Sequence, residues 1–584
     1  MPEPVLLVPA PHAPWSKPAR ALALTLLLAV YLFCSCYHLA DIPLIDPDEP
    51  RYATAGRNMA EGGSWLLPEF NGKPRINKPP LFYWLVALSD LLFGPATEVS
   101  SRLPSLVMGL LMLLLTVWLG ARLYGERTGY LAGLILCTSP LFMVMSRWCI
   151  TDQTFSTLLT AALACLLLDL TGRWPFSKQG LRHPLLAAAL CLGLACMTKG
   201  TGALVVLLVL ALFVLLFARH EFANLIRYAS ASPWLPALWI AVLLSSWWYA
   251  YLAYALGWEE IVRLVDFEVL GRIKGKVHQE PFYYFLYVLL GYFFPWSLGL
   301  PAALGCACRR IALGLPLQAA TAGEAPAPGA VRAVTDSFLV AWIAGVMLFF
   351  SIPGSKLGTY IFPAFPAAAL LTARYLLRLS GKAEPLRNGW RWTTASVALV
   401  MVAGLIAFGA IPFTMPKDVR TFFEDLPVSR MTLALLFASG FCLPWILGCS
   451  TRKPWTAAFP LAASMVLLFA LALPLGMPAL RKKSHRALAA EIQPRVQTAA
   501  HLFMAGSDEE SLVYYLHRTL PDVPRTAGDR RTDVVEALAS GPPGDVLIFV
   551  HRKYFTIWMQ DVTPPGSQVL ARGNHIVVLL NQAP

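Results

Sequence analysis

The stretch IDPDEPRYATAGRNMAEGGSW, residues 45–65, gathers Asp46, Asp48, Glu49, Arg51 and Arg57 directly behind the first long apolar run of a chain otherwise poor in charge. Two adjacent acids with Arg51 and Tyr52 within one turn can take a proton from an attacking hydroxyl or hold a cationic group. An Asp ahead of a Pro also caps helices, here a short interfacial helix starting near Pro50. Asp48 therefore has a bland reading beside the chemical one. In KPRINKPPLFYW, residues 73–84, Lys73, Arg75 and Lys78 read as solvated charges or headgroup anchors. Lys78 also reads as a phosphate-binding cation, because two prolines hold it ahead of an aromatic wall, Phe82, Tyr83 and Trp84, suited to a sugar or a lipid chain.

Three further clusters carry charge at the ends of apolar runs. RWCITDQTF contains Arg147 and Asp152, which could simply pair with each other. The loop of residues 262–296 offers Arg263, Arg272, Lys274, Lys276 and His278, natural partners of an anionic ligand. A lone His such as His278 is more often structural than a ligand. In FFSIPGSKLGTYIFPAFPAAALL, residues 349–371, Pro353 and Gly354 break one helix, and Lys356 and Tyr360 are expected on one i, i+4 face of the next. A cation beside an aromatic hydroxyl fits a phosphate, and Lys199 in MTKG adds another cation.

These clusters must be held by membrane helices. Of the 584 residues 57% are hydrophobic and 14% charged, against about 25% charged in an average soluble domain. Apolar runs of about 20 residues recur, and in hydrocarbon the backbone must satisfy its own hydrogen bonds, so a polytopic helical protein is expected. Thirteen spans are expected near residues 21–40, 103–121, 128–146, 153–171, 184–198, 201–218, 234–254, 282–304, 334–352, 358–376, 392–412, 430–449 and 455–476. The first is read as an uncleaved span rather than a signal peptide, since no small-x-small site follows it cleanly.

With the N-terminus cytoplasmic, the inner loops are LYGERT, TGRWPFSKQGLRHP, ARHEFANLIR, ACRR to about Arg332, ARYLLRLSGKAEPLRNGWR and CSTRK, each rich in Lys or Arg. The net charge of +13 is spread over these ends rather than gathered in a patch, which argues against nucleic acid. All five charged clusters then fall on the outer face, the periplasm in a bacterium. The expected division is a transmembrane domain over 1–480, with outer loops at 41–100 and 255–281, and a separate outer α/β domain over 481–584. The stretch 314–333, Ala/Pro/Gly-rich, reads as a cytoplasmic linker.

In the tail, HRALAAEIQPRV, EESLVYYLHRTL and RTDVVEALAS have helical periodicity, while HLFMAG, DVLIFVHRKYF and NHIVVLLN are strand-like. It contains neither a Gly-rich phosphate loop nor a nucleophile elbow. None of the 11 cysteines lies beyond Cys449, so the tail has no disulfide framework. Cys34, Cys36, Cys306 and Cys308 read as small packing residues.

Carboxylates inside a ring of cations and aromatics at the outer membrane edge suit a substrate that is both lipid and phosphate. DEPRYA at 48–53, KPPLFYW at 78–84, SRLPS at 101–105, LYG at 123–125, TKG at 198–200, HxxP at 278–281 with GYFFPW behind it, and GSKLGTYIFPAFPA at 354–367 together resemble the bacterial aminoarabinose transferases that modify lipid A. That family lies within the polyprenyl-phosphate-sugar transferases of the C-type fold, which include protein O-mannosyltransferases. The resemblance covers nearly the whole chain. It implies inverting transfer of a sugar, 4-amino-4-deoxy-L-arabinose in that family, from undecaprenyl phosphate to a lipid A phosphate at the periplasmic face of the inner membrane, and hence a link to polymyxin resistance.

By the same resemblance Asp48 matches the essential carboxylate, with Glu49 beside it and Arg51 and Tyr52 as neighbours. Lys78 and Lys199 match phosphate-binding lysines, Asp152 a second acid, and Lys356 with Tyr360 the donor-pocket pair. Tyr83, Arg263 and Arg272 complete the expected substrate contacts. No organic cofactor is implied. His278 matches a ligand of a divalent metal, zinc or similar, held with an acid just before Lys78. That position is Asn77 here, a neutral and weaker ligand, which argues against a tightly bound ion.

Two other functions compete with this reading. A related transferase could use another sugar and a glycan or protein hydroxyl as acceptor, and Asp48 would then have to take a proton. A transporter of lipid-linked sugars is the other, but transporters usually place charges and helix breaks near mid-span, whereas here the charges sit at span ends. Expected partners are the lipid-linked sugar, a lipid A or other lipid or glycan acceptor, and membrane lipids.

Overall fold

The computed structural model describes residues 15–94, 96–174, 183–216, 230, 232–273, 279–312, 328–379, 440–441, 443–445, 447, 454–506, 510–524, 530–540, 542–559, 562–564, 567–573 and 576–581. Among the described residues eight helices are long and apolar enough to cross a membrane: Lys17–Cys36, Glu98–Tyr124, Thr151–Leu170, Pro184–Leu216, Trp234–Leu256, Val334–Ser351, Gly358–Arg378 and Trp455–Lys482. Their exteriors are apolar, as hydrocarbon requires. Leu235, Leu238, Trp239 and Leu243 all face outward from Trp234–Leu256, where lipid and not protein covers them.

Four expected spans take other forms. Residues 128–146 divide into Glu126–Cys137 and Pro140–Met145, where Pro140 can only open a new helix. Residues 282–304 divide at Pro295 into Tyr284–Tyr292, a 3₁₀ turn at Trp296–Leu298 and Leu300–Ala312. Residues 184–218, expected as two spans, form one 33-residue apolar stretch, Pro184–Leu216, with a 3₁₀ turn at Gly200–Leu204 inside it. The span at 392–412, most of that at 430–449 and most of the expected linker lie outside the described residues. Of the four cysteines expected to pack, Cys34 is buried, Cys306 is intermediate, and Cys36 and Cys308 are exposed.

The chain divides into two compact units. The first comprises residues 1–37, 107–146 and 152–470, and the second residues 38–106, 147–151 and 471–584. The first is a helical membrane body. Its helices approach closely at small residues: a Cβ on Gly129 would lie 2.3 Å from the Val117 carbonyl oxygen, so only glycine admits the neighbouring helix there.

The second unit gathers the acidic stretch and the tail around one sheet. Helix Asp48–Ala60 packs on helix Leu81–Phe93 through Ala53 and Gly56, where a Cβ on Gly56 would meet Val86 Cγ1 at 2.5 Å. A two-residue hairpin joins them, β1 (Glu69–Phe70) with β2 (Lys73–Pro74), antiparallel. In the tail, β3 (His501–Ala505), β4 (Val546–His551), β5 (Ser567–Arg572) and β6 (Ile576–Asn581) form a sheet in the order β3-β4-β6-β5. β3 and β4 are parallel and the other pairs antiparallel.

Both faces of this sheet are covered. Leu547, Phe549, Val578 and Leu580 pack on one side with Leu488, Ile492 and Leu512. Ile548, Val550, Val577 and Leu579 pack on the other with Val534, Leu538 and Phe555. The unbroken apolar run VLIFV of β4 follows from that two-sided burial.

The helices Arg486–Thr498, Glu510–Leu516 and Arg530–Leu538 lie where the periodicity puts them. DVLIFVHRKYF does not remain a strand: it ends at His551, and Arg552–Met559 is a helix that buries Phe555 and Met559. β5 was not anticipated, because SQVLAR alternates only weakly.

Candidate functional site

In the second unit the opening acids separate by burial. Glu49 and Arg102 expose 2% and 1% of their side chains and form a two-pronged ion pair. Arg102 Nε donates to Glu49 Oε1 at 2.9 Å and Nη2 to Oε2 at 2.8 Å, while its remaining donors reach the carbonyls of Leu39, Ile42 and Pro43 at 2.7 to 2.9 Å. Glu49 also accepts from the backbone N–H groups of Cys149 at 2.8 Å and Ile45 at 3.0 Å. Every donor of Arg102 is spent, and both oxygens of Glu49 are doubly occupied. The expectation that Glu49 is a catalytic acid is therefore corrected: it is a structural counter-ion that no substrate can reach.

Asp48, one residue earlier, is exposed. It lies within the first turn of helix Asp48–Ala60, and Pro47 holds the cap position with no side-chain bond. Asp48 is thus no cap, though its charge is favoured by the positive end of the helix. Its carboxylate acts electrostatically on Tyr52 and on Arg75. Tyr52 is buried against Phe82 and Tyr83, with ring centroids at 5.4 and 5.3 Å. Burial, with Tyr83 and Asp48 adding to it, pushes the Tyr52 hydroxyl well above its usual range, so it remains a neutral donor. Arg75 Nε donates to the Tyr83 hydroxyl at 3.1 Å and its guanidinium lies over the Tyr52 ring at 5.4 Å. Lys78 is half-buried, and its Nζ donates to the Asn77 carbonyl at 3.1 Å.

Asp48, Tyr52, Tyr83 and Arg75 are therefore brought together. Arg75 was read only as a solvated charge. The hairpin lifts it out of that role, its backbone N–H donating to the Pro68 carbonyl at 2.7 Å.

Arg51 does not join this group. Its guanidinium pairs with Glu510 of the tail. The same loop is held to the tail by Asp46, which accepts from the backbone N–H of Ser511 at 2.7 Å and from its hydroxyl, and by Arg57 Nη1, which donates to the Tyr514 carbonyl at 2.8 Å. Burial pushes the Glu510 carboxyl up to about 7, with Arg51 opposing and Asp46 adding to the rise.

The folded form thus holds the Glu510 proton to higher pH than the unfolded chain does. The stability this confers is present below the ordinary carboxylate range and is lost as pH rises to about 7. In Glu510→Gln the full-length protein should show a flatter dependence of Tm on pH between about 5 and 8 than the wild type. An unchanged slope would show that Glu510 does not carry the effect.

In the first unit Asp152 and Lys199 form an ion pair at 2.8 Å, largely shielded from solvent. Asp152 lies in the first turn of Thr151–Leu170 and Lys199 in the last turn of Pro184–Lys199, so each charge complements its helix end. Gly200 ends the second helix at φ 57°, in the left-handed region that glycine tolerates.

Lys199 Nζ stands 4.5 Å from the centroid of the Tyr360 ring, and Arg272 Nη1 donates to the Tyr360 hydroxyl at 2.6 Å. Arg272 also pairs with Glu268 at 2.8 Å. Asp152, Lys199, Tyr360, Arg272 and Glu268 form one continuous polar chain at the ends of apolar helices, with Lys199 on the face of the Tyr360 ring and Arg272 on its hydroxyl.

Lys356 and Tyr360 do not share a helical face: residue 356 precedes the 3₁₀ turn Gly358–Ala364. The ammonium of Lys356 is buried and donates to the carbonyls of Glu280 at 2.8 Å and Pro353 at 2.7 Å. The segment around it is bound to residues 272, 273 and 279, since Gln279 bridges Ser355, and the Gly354 and Ser355 N–H groups donate to the carbonyls of Ile273 and Arg272. Lys356 therefore fastens its own segment to Glu280, and the expectation that it forms a donor-pocket pair with Tyr360 is corrected.

Arg263 is not brought in either. It is exposed and pairs with Glu260 at 2.5 Å on its own helix turn, a solvated surface pair. His278, Lys274 and Lys276 lie outside the described residues. Among the described residues no three His, Cys, Asp or Glu side chains converge in a way that could hold a metal. Asn77 offers a neutral donor where an acid was expected, and His278, the other expected ligand, lies outside the described residues.

Residues 21–261 match the family model described as dolichyl-phosphate-mannose-protein mannosyltransferase. Over 358 residues the chain is 30% identical to the undecaprenyl phosphate-α-4-amino-4-deoxy-L-arabinose arabinosyl transferase of Edwardsiella ictaluri, covering 59% of this chain and 58% of that protein. Over 447 residues it is 27% identical to the transferase of the same name from Enterobacter sp., covering 73% of this chain and 72% of that one. The crystal structure of ArnT from Cupriavidus metallidurans bound to undecaprenyl phosphate superposes with a TM-score of 0.73 at 21% identity, over 98% of this chain and 100% of that one. At that identity the likeness is one of fold.

Proposed function

We propose that this chain, a multi-pass membrane protein of the C-type glycosyltransferase fold related in sequence to the aminoarabinose transferases, moves 4-amino-4-deoxy-L-arabinose from undecaprenyl phosphate to a lipid A phosphate. The reading rests first on one observation: of two adjacent acids, Glu49 is wholly consumed by Arg102, while Asp48 is left exposed beside a clamped arginine and two tyrosines.

The reaction needs no organic cofactor. The sugar–phosphate bond of the donor is already activated, so the protein has to orient the acceptor, stabilise charge on the sugar ring and bind the departing phosphate. A lipid A phosphate is already anionic at neutral pH. Asp48 is then suited to orient that nucleophile's surroundings and to balance the positive charge that grows on the ring as the bond to the carrier phosphate breaks. Within the first unit, Lys199 and Arg272, fixed by Asp152, Glu268 and Tyr360, present two cations of the kind that bind a phosphate.

The excess of Lys and Arg in alternate loops supports an inner-membrane topology in which residues 45–100 and the tail from 481 face the periplasm. On that topology the tail is a periplasmic domain. The match of residues 21–261 to a protein mannosyltransferase model supports a second reading, with a protein or glycan hydroxyl as acceptor.

The chain should be expressed in a bacterial host that makes the lipid-linked aminoarabinose but lacks its own transferase, and the lipid A analysed by mass spectrometry. A mass increment of one aminoarabinose per modified phosphate is expected. Unmodified lipid A from cells with well-inserted protein would sink the acceptor and sugar assignment, and labelled glycan or protein in the same cells would favour the second reading.

A further inference from the structure

We propose that Arg75 is a phosphate-reading residue of the second unit: its guanidinium is held by Tyr83 and Tyr52 so that its two terminal nitrogens form an open fork for a substrate phosphate. This rests on the function proposed above and deepens it, since nothing else assigns Arg75 a part. Nε is spent on the Tyr83 hydroxyl at 3.1 Å, and the plane lies over the Tyr52 ring at 5.4 Å. Nη1 and Nη2 donate to no group among the described residues, although the side chain is half-buried.

That arrangement contrasts with the other arginines of the unit. Arg102 has all its donors satisfied inside the protein, Arg57 is tied to Tyr514, and Arg51 is paired with Glu510. An arginine held at one edge and one face, with the other edge free, is already oriented for two parallel N–H bonds to a phosphate, a geometry that a lysine cannot reproduce.

The neighbours favour a phosphate over a carboxylate-bearing partner of the protein. Asp48 lies within electrostatic reach of Arg75, yet no hydrogen bond between them satisfies the fork. The charge of Asp48 would orient Arg75 without filling it. Asn77, neutral where an acid was expected, adds no carboxylate of its own two residues after Arg75.

The phosphate could belong to the donor carrier or to the acceptor, and binding can separate them. Full-length protein in lipid nanodiscs would be titrated with undecaprenyl phosphate, with lipid A and with dephosphorylated lipid A, using wild type, Arg75→Gln, Arg75→Lys and Tyr83→Phe. Arg75→Gln is expected to weaken one phosphate ligand by about tenfold or more, the scale of one charge-assisted bidentate contact. Arg75→Lys should restore only part, because it returns the charge without the fork, and Tyr83→Phe should fall between wild type and Arg75→Gln.

A loss confined to undecaprenyl phosphate identifies the donor, and one confined to lipid A that is absent with its dephosphorylated form identifies the acceptor. Equal affinities for all ligands in wild type and Arg75→Gln, full rescue by lysine, or an equal loss with the dephosphorylated lipid would overturn the assignment. Since binding needs no turnover, a wild type that binds through Arg75 but transfers nothing would refute the proposed function and leave the fork standing. Transfer unaffected by Arg75→Gln would do the reverse.

Discussion

Asp48→Asn is expected to lower sugar transfer by about 10²- to 10⁴-fold, the range associated with removing one positioned acid–base or charge-balancing group, while leaving the fold intact. The substitution keeps size and shape and removes only charge. Asp48 is exposed at a helix start, and no hydrogen bond among the described residues depends on it. Its effect on stability should be small, as for surface substitutions generally.

The measurement is the fraction of modified lipid A with equal amounts of inserted wild type and variant, together with Tm. Transfer within a few-fold of wild type would remove Asp48 from the reaction. A large fall in Tm with the loss of transfer would mean that the carboxylate is structural after all. Glu49→Gln is the informative companion, because its carboxylate belongs to the interior and its loss should appear as instability.

Arg102→Met has the largest expected effect on stability. Truncating one member of a buried pair strands the other charge, and such breaks cost about 3 to 5 kcal/mol. Here Arg102 also holds three loop carbonyls, those of Leu39, Ile42 and Pro43, which would be left without donors in a buried place. The loop of residues 39–43 leads directly into Asp46, Asp48 and Glu49, so its release should misplace the acidic stretch as well.

The expected result is a markedly lower yield of folded protein, a large drop in Tm and loss of transfer that tracks the loss of folded molecules. The double variant Glu49→Leu with Arg102→Met tests the cause. If the stranded charge is the main cost, removing both charges recovers part of the stability. If the double variant is as unstable as the single one, the orphaned carbonyls account for the loss.

Much of the architecture was legible because the membrane restricts the choices. Long apolar helices satisfy their own backbone and must be about a bilayer long, so Thr151–Leu170, Trp234–Leu256 and Val334–Ser351 could be read from hydropathy alone. The tail strands β4 and β6 were legible from their dense β-branched and apolar runs, and β3 from the short apolar run LFMA. The RKYF segment was not. Its helix is set by Phe555 and Met559 finding one face of the sheet, a packing decision that local pattern does not contain.

The residue types of the site were legible too: acids behind the first span, lysine and arginine at span ends, tyrosines beside them. The sequence alone determined that this is a polytopic membrane protein with charge concentrated at helix ends, because a chain cannot hide that pattern in hydrocarbon without a use for it. Only the tertiary structure decided which of those charges are free. Asp48 and Glu49 are neighbours of the same type, and a one-residue step around a helix carries one outward and the other into the grip of Arg102. Arg51, Lys356 and Arg75 were divided in the same way, Arg51 to Glu510, Lys356 to the carbonyls of Glu280 and Pro353, and Arg75 to an aromatic clamp that leaves its terminal nitrogens without a partner among the described residues. Partnership depends on residues far apart in sequence, and burial sets how much each charge must be compensated.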